Sequence, residues 1–130
     1  MIGSNGYSNW LEINREVIEA NIRQIRRLTG TGVMAVVKAN GYGHGIVEMA
    51  RTASEAGAEY GGIARVEEGL ELRSAGIRLP LLVLGYTPPY RFDRAIEADI
   101  SLTMFQPQQI EPLLEAAQRV GSRALVHVKV

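Results

Sequence analysis

The chain has 130 residues, with 14 basic and 14 acidic side chains and no cysteine. That length supports a single core, so one domain or part of one is expected. Charges that cancel and never gather in a run exclude an electrostatic footprint for nucleic acid or an anionic membrane and favour a small, roughly neutral partner, while the lack of cysteine excludes disulfides, thiolate catalysis and sulfur-built zinc sites and accords with a cytoplasmic setting.

Residues 1–9, "MIGSNGYSN", read as a flexible N-terminus without the apolar stretch of a secretory signal, and no run approaches the roughly 18 to 20 apolar residues that span a bilayer. From there helical and strand-like patterns alternate. Asn14 is a good N-cap, Ile18, Ile22 and Ile25 recur at helical spacing, and Gly30 and Gly32 stop the helix. "VMAVVK" (33–38) reads as a strand. Ile46, Met49, Ala50 and Ala53 form the next helical stripe, ended by Gly57, and "EYGGIA" (59–64) is a weaker strand. A helix over 66–75 ends at Gly76, with Glu67 and Glu68 near its positive end and Arg73 near its negative end. "PLLVLG" (80–85) is the third strand. A short helix carrying Phe92, Ala95 and Ile96 follows Pro88 and Pro89, then "ISLTM" (100–104) as a strand. Pro107 suits the first turn of a helix with Ile110, Leu113, Leu114 and Ala117 inward, closed by Gly121, and "RALVHVKV" ends the chain as a fifth strand.

Five strands separated by helices spell βα repeats and a parallel sheet. Two architectures fit: the N-terminal five strands or so of a (β/α)8 barrel, or an open five-stranded doubly wound sheet. Length favours the open sheet, whereas a last element that stops inside a strand at Val130 looks like part of a barrel. On either scheme ligands bind at the C-terminal strand ends.

Lys38 lies at such an end. By strand alternation it shares a face with Met34 and Val36, and so points the same way as two core residues. A desolvated lysine has a lowered pKa, and its neutral amine can form an imine with an aldehyde cofactor, although a lone lysine more often snorkels to water. The glycines that follow, Gly41, Gly43 and Gly45, match neither nucleotide-binding fingerprint, since Ile46 stands where a third glycine belongs and no G-x-x-x-x-G-K-[ST] occurs. They leave a permissive loop from which the Tyr42 hydroxyl can donate to a phosphate oxygen, with His44 as a local turn residue. On the last strand Leu125, His127 and Lys129 share a face, which in a barrel is the lumen.

The octet "KANGYGHG" at 38–45 resembles the cofactor-lysine signature of the alanine racemases, a fold-type III family dependent on pyridoxal 5'-phosphate (PLP). "WLEIN" at 10–14, "ARVEEGLELRSAGI" at 64–77, "LLVLGYTPP" at 81–89 and "LVHVKV" at 125–130 match in order; the alanine common in the family is replaced here by Gly41. The resemblance implies that residues 10–130 are a partial (β/α)8 barrel PLP-binding domain without the C-terminal β domain. It implies that Lys38 holds PLP as a Schiff base, that Tyr42 contacts its phosphate, and that Lys129 aligns with a lysine carbamylated in many members. The implied reaction is the interconversion of L- and D-alanine in a cytoplasmic homo-oligomer, supplying D-alanine for peptidoglycan, with no metal. Another fold-type III enzyme, such as a serine or broad-specificity racemase or an amino-acid decarboxylase, and a non-catalytic PLP-binding module are the alternatives. By itself the chain is expected to bind PLP weakly and not to turn over.

Overall fold

The computed structural model describes residues 10–130; the expectation of a flexible segment over 1–9 lies outside the described residues. In chain order the elements are α1 (Arg15–Thr29), β1 (Met34–Val36), a short turn (Lys38–Tyr42), α2 (Ile46–Glu55), β2 (Tyr60–Ile63), α3 (Val66–Ser74), β3 (Leu81–Val83), α4 (Phe92–Glu97), β4 (Ile100–Met104), α5 (Ile110–Val120) and β5 (Val126–Val128). Single 3-10 turns at Pro89–Arg91 and Pro107–Gln109 lead into α4 and α5.

Local chemistry sets the ends of these elements. The Asn14 side chain accepts the Val17 N–H at 3.1 Å to start α1, and Gly30 ends it in the left-handed region at φ 65°. The sheet is parallel throughout, in the order β1-β2-β3-β4-β5. That order decides between the two architectures. A doubly wound sheet reverses its strand order at a switch point and so places helices on both faces. Right-handed crossovers that always step the same way put every helix on one face, and the other face curls inward. The curl is measurable: the rings of Tyr60 on β2 and His127 on β5 meet edge to face, centroids 5.8 Å apart. Three strand steps of about 4.8 Å would separate them by about 14 Å in a flat sheet. The fold is five consecutive strands of a barrel wall, joined by four crossovers that all step the same way.

The main core lies between the sheet's convex face and the helices. Ile63, Leu81, Val83, Ile100 and Leu102 meet Leu72 of α3, Phe92 and Ala95 of α4, and Leu113 and Ala116 of α5. A smaller cluster of Ile22, Ala53, Ala56 and Ala58 packs α1 on α2. Two expectations are corrected. Met34 and Val36 are not core residues: Val36 is 40% exposed on the concave face, and its neighbour Val37, 1% exposed, belongs to the core. On α5, Leu113 is buried, but Ile110 and Leu114 are 54% and 59% exposed, because they border a groove beside Val126 and Val128 that no element among the described residues covers.

At the N-terminal end of the strands, Arg73 does more than neutralise a helix dipole. Its guanidinium donates to the carbonyls of Ile77, Leu79 and Ala98 at 2.9 Å each and of Asp99 at 3.1 Å, tying together the segments that lead into β3 and β4. Burial lowers its pKa from the usual guanidinium value, against the opposing charge of Asp99, and it stays protonated at any working pH.

Candidate functional site

The last β1–β2 ladder contact is the Val37 N–H to the Gly62 carbonyl, 2.9 Å. One residue later, half-buried Lys38 begins a turn in which Ala39, Asn40, Gly41 and Tyr42 all have positive φ, between 52° and 61°. A non-glycine residue held left-handed costs about 1–2 kcal/mol, so this run must be held from outside. Asn40 supplies one tether: its Oδ1 accepts the Ile46 N–H at 3.0 Å, fixing the turn to the start of α2. Gly41 is buried, and a Cβ there would lie 2.9 Å from Met49 Cγ, so glycine suits both its φ and its space.

The turn is not a phosphate cradle. The N–H groups of Gly41, Gly43, His44 and Gly45 bond to carbonyls of Val37, Asn40 and Gly41, and that of Ile46 to Asn40, so these amides are already used. The glycine pattern is a device for turning the chain tightly after the lysine. Tyr42 is exposed on it, and His44 Nδ1 lies 3.3 Å from the Tyr42 carbonyl, the local contact expected of a turn residue.

Glu68 was missed. The sequence shows it as an acidic residue in the first turn of α3, and it does accept the Arg65 N–H at 3.3 Å in the manner of a capping box. The same Oε2 accepts the Ala64 N–H at 2.6 Å, and Oε1 reaches across 29 residues to the Ala39 N–H at 2.8 Å. A long-range partner leaves no mark on local spacing, so nothing in the pattern distinguishes Glu68 from Glu67, which pairs with Arg91 at 2.7 Å.

At the other edge of the sheet, Thr103 pairs with His127, and the Lys129 N–H donates to the Met104 carbonyl at 2.9 Å, so exposed Lys129 sits at the C-terminal end of β5 as Lys38 does at that of β1. Between them, Tyr86 and Phe105 from the loops after β3 and β4 pack edge to face at 6.3 Å, which gives Tyr86 a structural contact. A primary amine at the ligand-binding end of a parallel sheet, on a pre-set turn with an exposed phenol four residues on, is chemically suited to an aldehyde cofactor bearing a phosphate. The donor set fits PLP.

The model of the alanine racemase N-terminal domain matches residues 13–130. An alanine racemase of Desulforamulus reducens is 48% identical over 93% of this chain and 33% of its own length, and alanine racemase 1 of Oceanobacillus iheyensis is 42% identical over the same shares. The chain thus spans about a third of the length of these curated relatives. Among solved structures, alanine racemase from Bacillus anthracis with bound L-Ala-P superposes with a TM-score of 0.82 at 37% identity, over 91% of this chain and 31% of that one. The enzyme from E. faecalis gives 0.84 at 35%, over 91% and 33%. These likenesses run through the strands, the lysine turn and the loops just described, and the chain belongs to the alanine racemase family.

Proposed function

We propose that this chain is the part of a PLP-dependent alanine racemase that carries the cofactor lysine. The observation that supports it best is Lys38, a half-buried amine at the C-terminal end of β1 whose following four residues are held in one left-handed turn. PLP, when bound, supplies an aldehyde for attachment and an electron-withdrawing ring that weakens the substrate's Cα–H bond. Lys38 Nζ is the attachment point. The same nitrogen, on a side chain that leaves the strand end toward the ligand-binding side, would be the group placed to remove a proton from the substrate's Cα or return one on a single face. The exposed Tyr42 hydroxyl is suited to donate to a phosphate oxygen, and Lys129 is the lysine whose carbamylation would place an anion at the end of β5.

The reading extends to L- and D-alanine as substrates, to a cytoplasmic role in supplying D-alanine for the cell wall, and to a homo-oligomer. No helix among the described residues is long and apolar enough to cross a membrane. Exposed Met34, Val36, Ile110, Leu114, Val126 and Val128 favour self-association. Sedimentation should show a dimer or larger species; a monomer at all concentrations would remove the oligomer from the proposal.

The cofactor reading has a clean test, because Lys38 and Lys129 are the chain's two lysines. The chain is incubated with PLP, reduced with borohydride and mapped by mass spectrometry, with Lys38→Ala as control. Label concentrated on Lys38 and abolished by the substitution is the expected result. Equal label on both lysines, unchanged at Lys129 in the control, would refute a preformed site.

A further inference from the structure

Beyond Val37, the β1–β2 ladder has two donors still to place. In a continued parallel ladder the Ala64 N–H would bond to the Val37 carbonyl and the Ala39 N–H to the Ala64 carbonyl. Neither does. The Val37 carbonyl instead takes the Gly41 N–H at 2.8 Å, and both free donors turn to one carboxylate, Ala64 to Glu68 Oε2 and Ala39 to Glu68 Oε1. Glu68 replaces the next rung of the sheet. By doing so it lets the chain leave β1 in the left-handed conformation without stranding two amides, and charge-assisted bonds from a carboxylate to backbone N–H are among the stronger ones available.

From this we infer that Glu68 is a positioning residue for Lys38. The Ala39 N–H belongs to the Lys38–Ala39 peptide, so the Oε1 bond fixes the plane of that peptide and with it the backbone from which the Lys38 side chain departs. The other oxygen is anchored on the β2–α3 turn, which makes the lysine's orientation depend on the neighbouring βα unit. Only a carboxylate suits the place: the groups that face both of its oxygens are donors, and an amide would accept on one side and present its own NH2 to a donor on the other.

This rests on the reading of Lys38 as the cofactor lysine, and the test separates the two. Wild type, Glu68→Gln and Glu68→Ala are labelled with PLP and borohydride, the ratio of Lys38 to Lys129 label is read by mass spectrometry, and amide exchange at Ala39 and Ala64 is followed by NMR under conditions where urea titration shows each variant folded. In Glu68→Ala the protection of Ala39 should be lost and the label ratio should fall by about tenfold, the order expected for one lost charge-assisted bond. Glu68→Gln should fall between that and wild type, and being isosteric it carries the test if the alanine variant does not fold. Unchanged Ala39 exchange, or lost protection with an unchanged label ratio, overturns the positioning role and leaves the cofactor reading intact. Failure of wild type to label Lys38 selectively overturns the cofactor reading and the positioning role with it.

Discussion

Replacing Arg73 by methionine keeps the aliphatic stem and removes the guanidinium, and with it the four bonds to the carbonyls of Ile77, Leu79, Ala98 and Asp99. Hydrogen bonds to charged groups contribute about 1.5–3 kcal/mol each, but the four do not add, because the site is only partly buried and water reaches some of the released carbonyls. One or two carbonyls left without a partner set the loss, so about 2–4 kcal/mol is expected. Asp99 adds to the loss: it is a non-glycine residue at φ 49°, a conformation that the guanidinium helps to hold. Lysine at this position should recover less than half, since its ammonium is a point charge without the planar fork. In a urea titration with a slope of about 1–2 kcal/mol/M, the methionine variant should shift the midpoint down by roughly 1–4 M at unchanged slope. Arg73 sits at the N-terminal ends of the strands, away from the lysine turn, so in the folded population the selective label on Lys38 should be unaffected. A loss below about 1 kcal/mol would mean that water replaces the guanidinium at no penalty, and the account of Arg73 as the tie between β3 and β4 would fall.

Gly69 lies inside α3, where alanine ordinarily gains up to about 1 kcal/mol in helix propensity. Here a Cβ would stand 2.5 Å from Ile100 Cδ1 and 2.9 Å from Ile63 Cδ1, and overpacking of about 1–3 kcal/mol should win, so Gly69→Ala is expected to melt lower in a thermal scan. A higher melting temperature would show that α3 has room to move off the sheet. The Asp93 carboxyl, bonded to Arg119 at 2.8 and 3.2 Å, is held below the usual carboxylate range, chiefly by that side-chain hydrogen bond. A depressed folded pKa gives stability that is present above the unfolded value of about 4 and lost as pH falls through the folded value. The stability difference between wild type and Asp93→Asn should therefore be constant near neutrality and shrink below about pH 4; a difference independent of pH down to acid unfolding would rule the linkage out.

The order and type of the elements were legible from residues a few positions apart. Asn14 and Gly30 bound α1 because a cap and a left-handed stop are local events, and the same holds for Gly121 after α5. Lys38 and its glycine-rich turn stood out because an amine closing an apolar run is a local anomaly. Whether the five strands made an open sheet or a barrel wall was not legible, because strand order is a choice among pairings that local spacing does not constrain. For the same reason alternation grouped Met34 and Val36 correctly as to period but could not say which face met the helices; the one-sided arrangement of crossovers sends Val37 into the core and leaves Val36 on the concave side. Around Gly41, the left-handed Ala39 and Tyr42 run against their intrinsic preference, and the tethers from Asn40 and Glu68, with the turn's own backbone bonds, hold that conformation. Thus the chain's own chemistry determined that a lysine would end the first strand, and the fold alone decided what surrounds it, because a carboxylate 29 residues away can find the Ala39 amide only after β1 and β2 have paired.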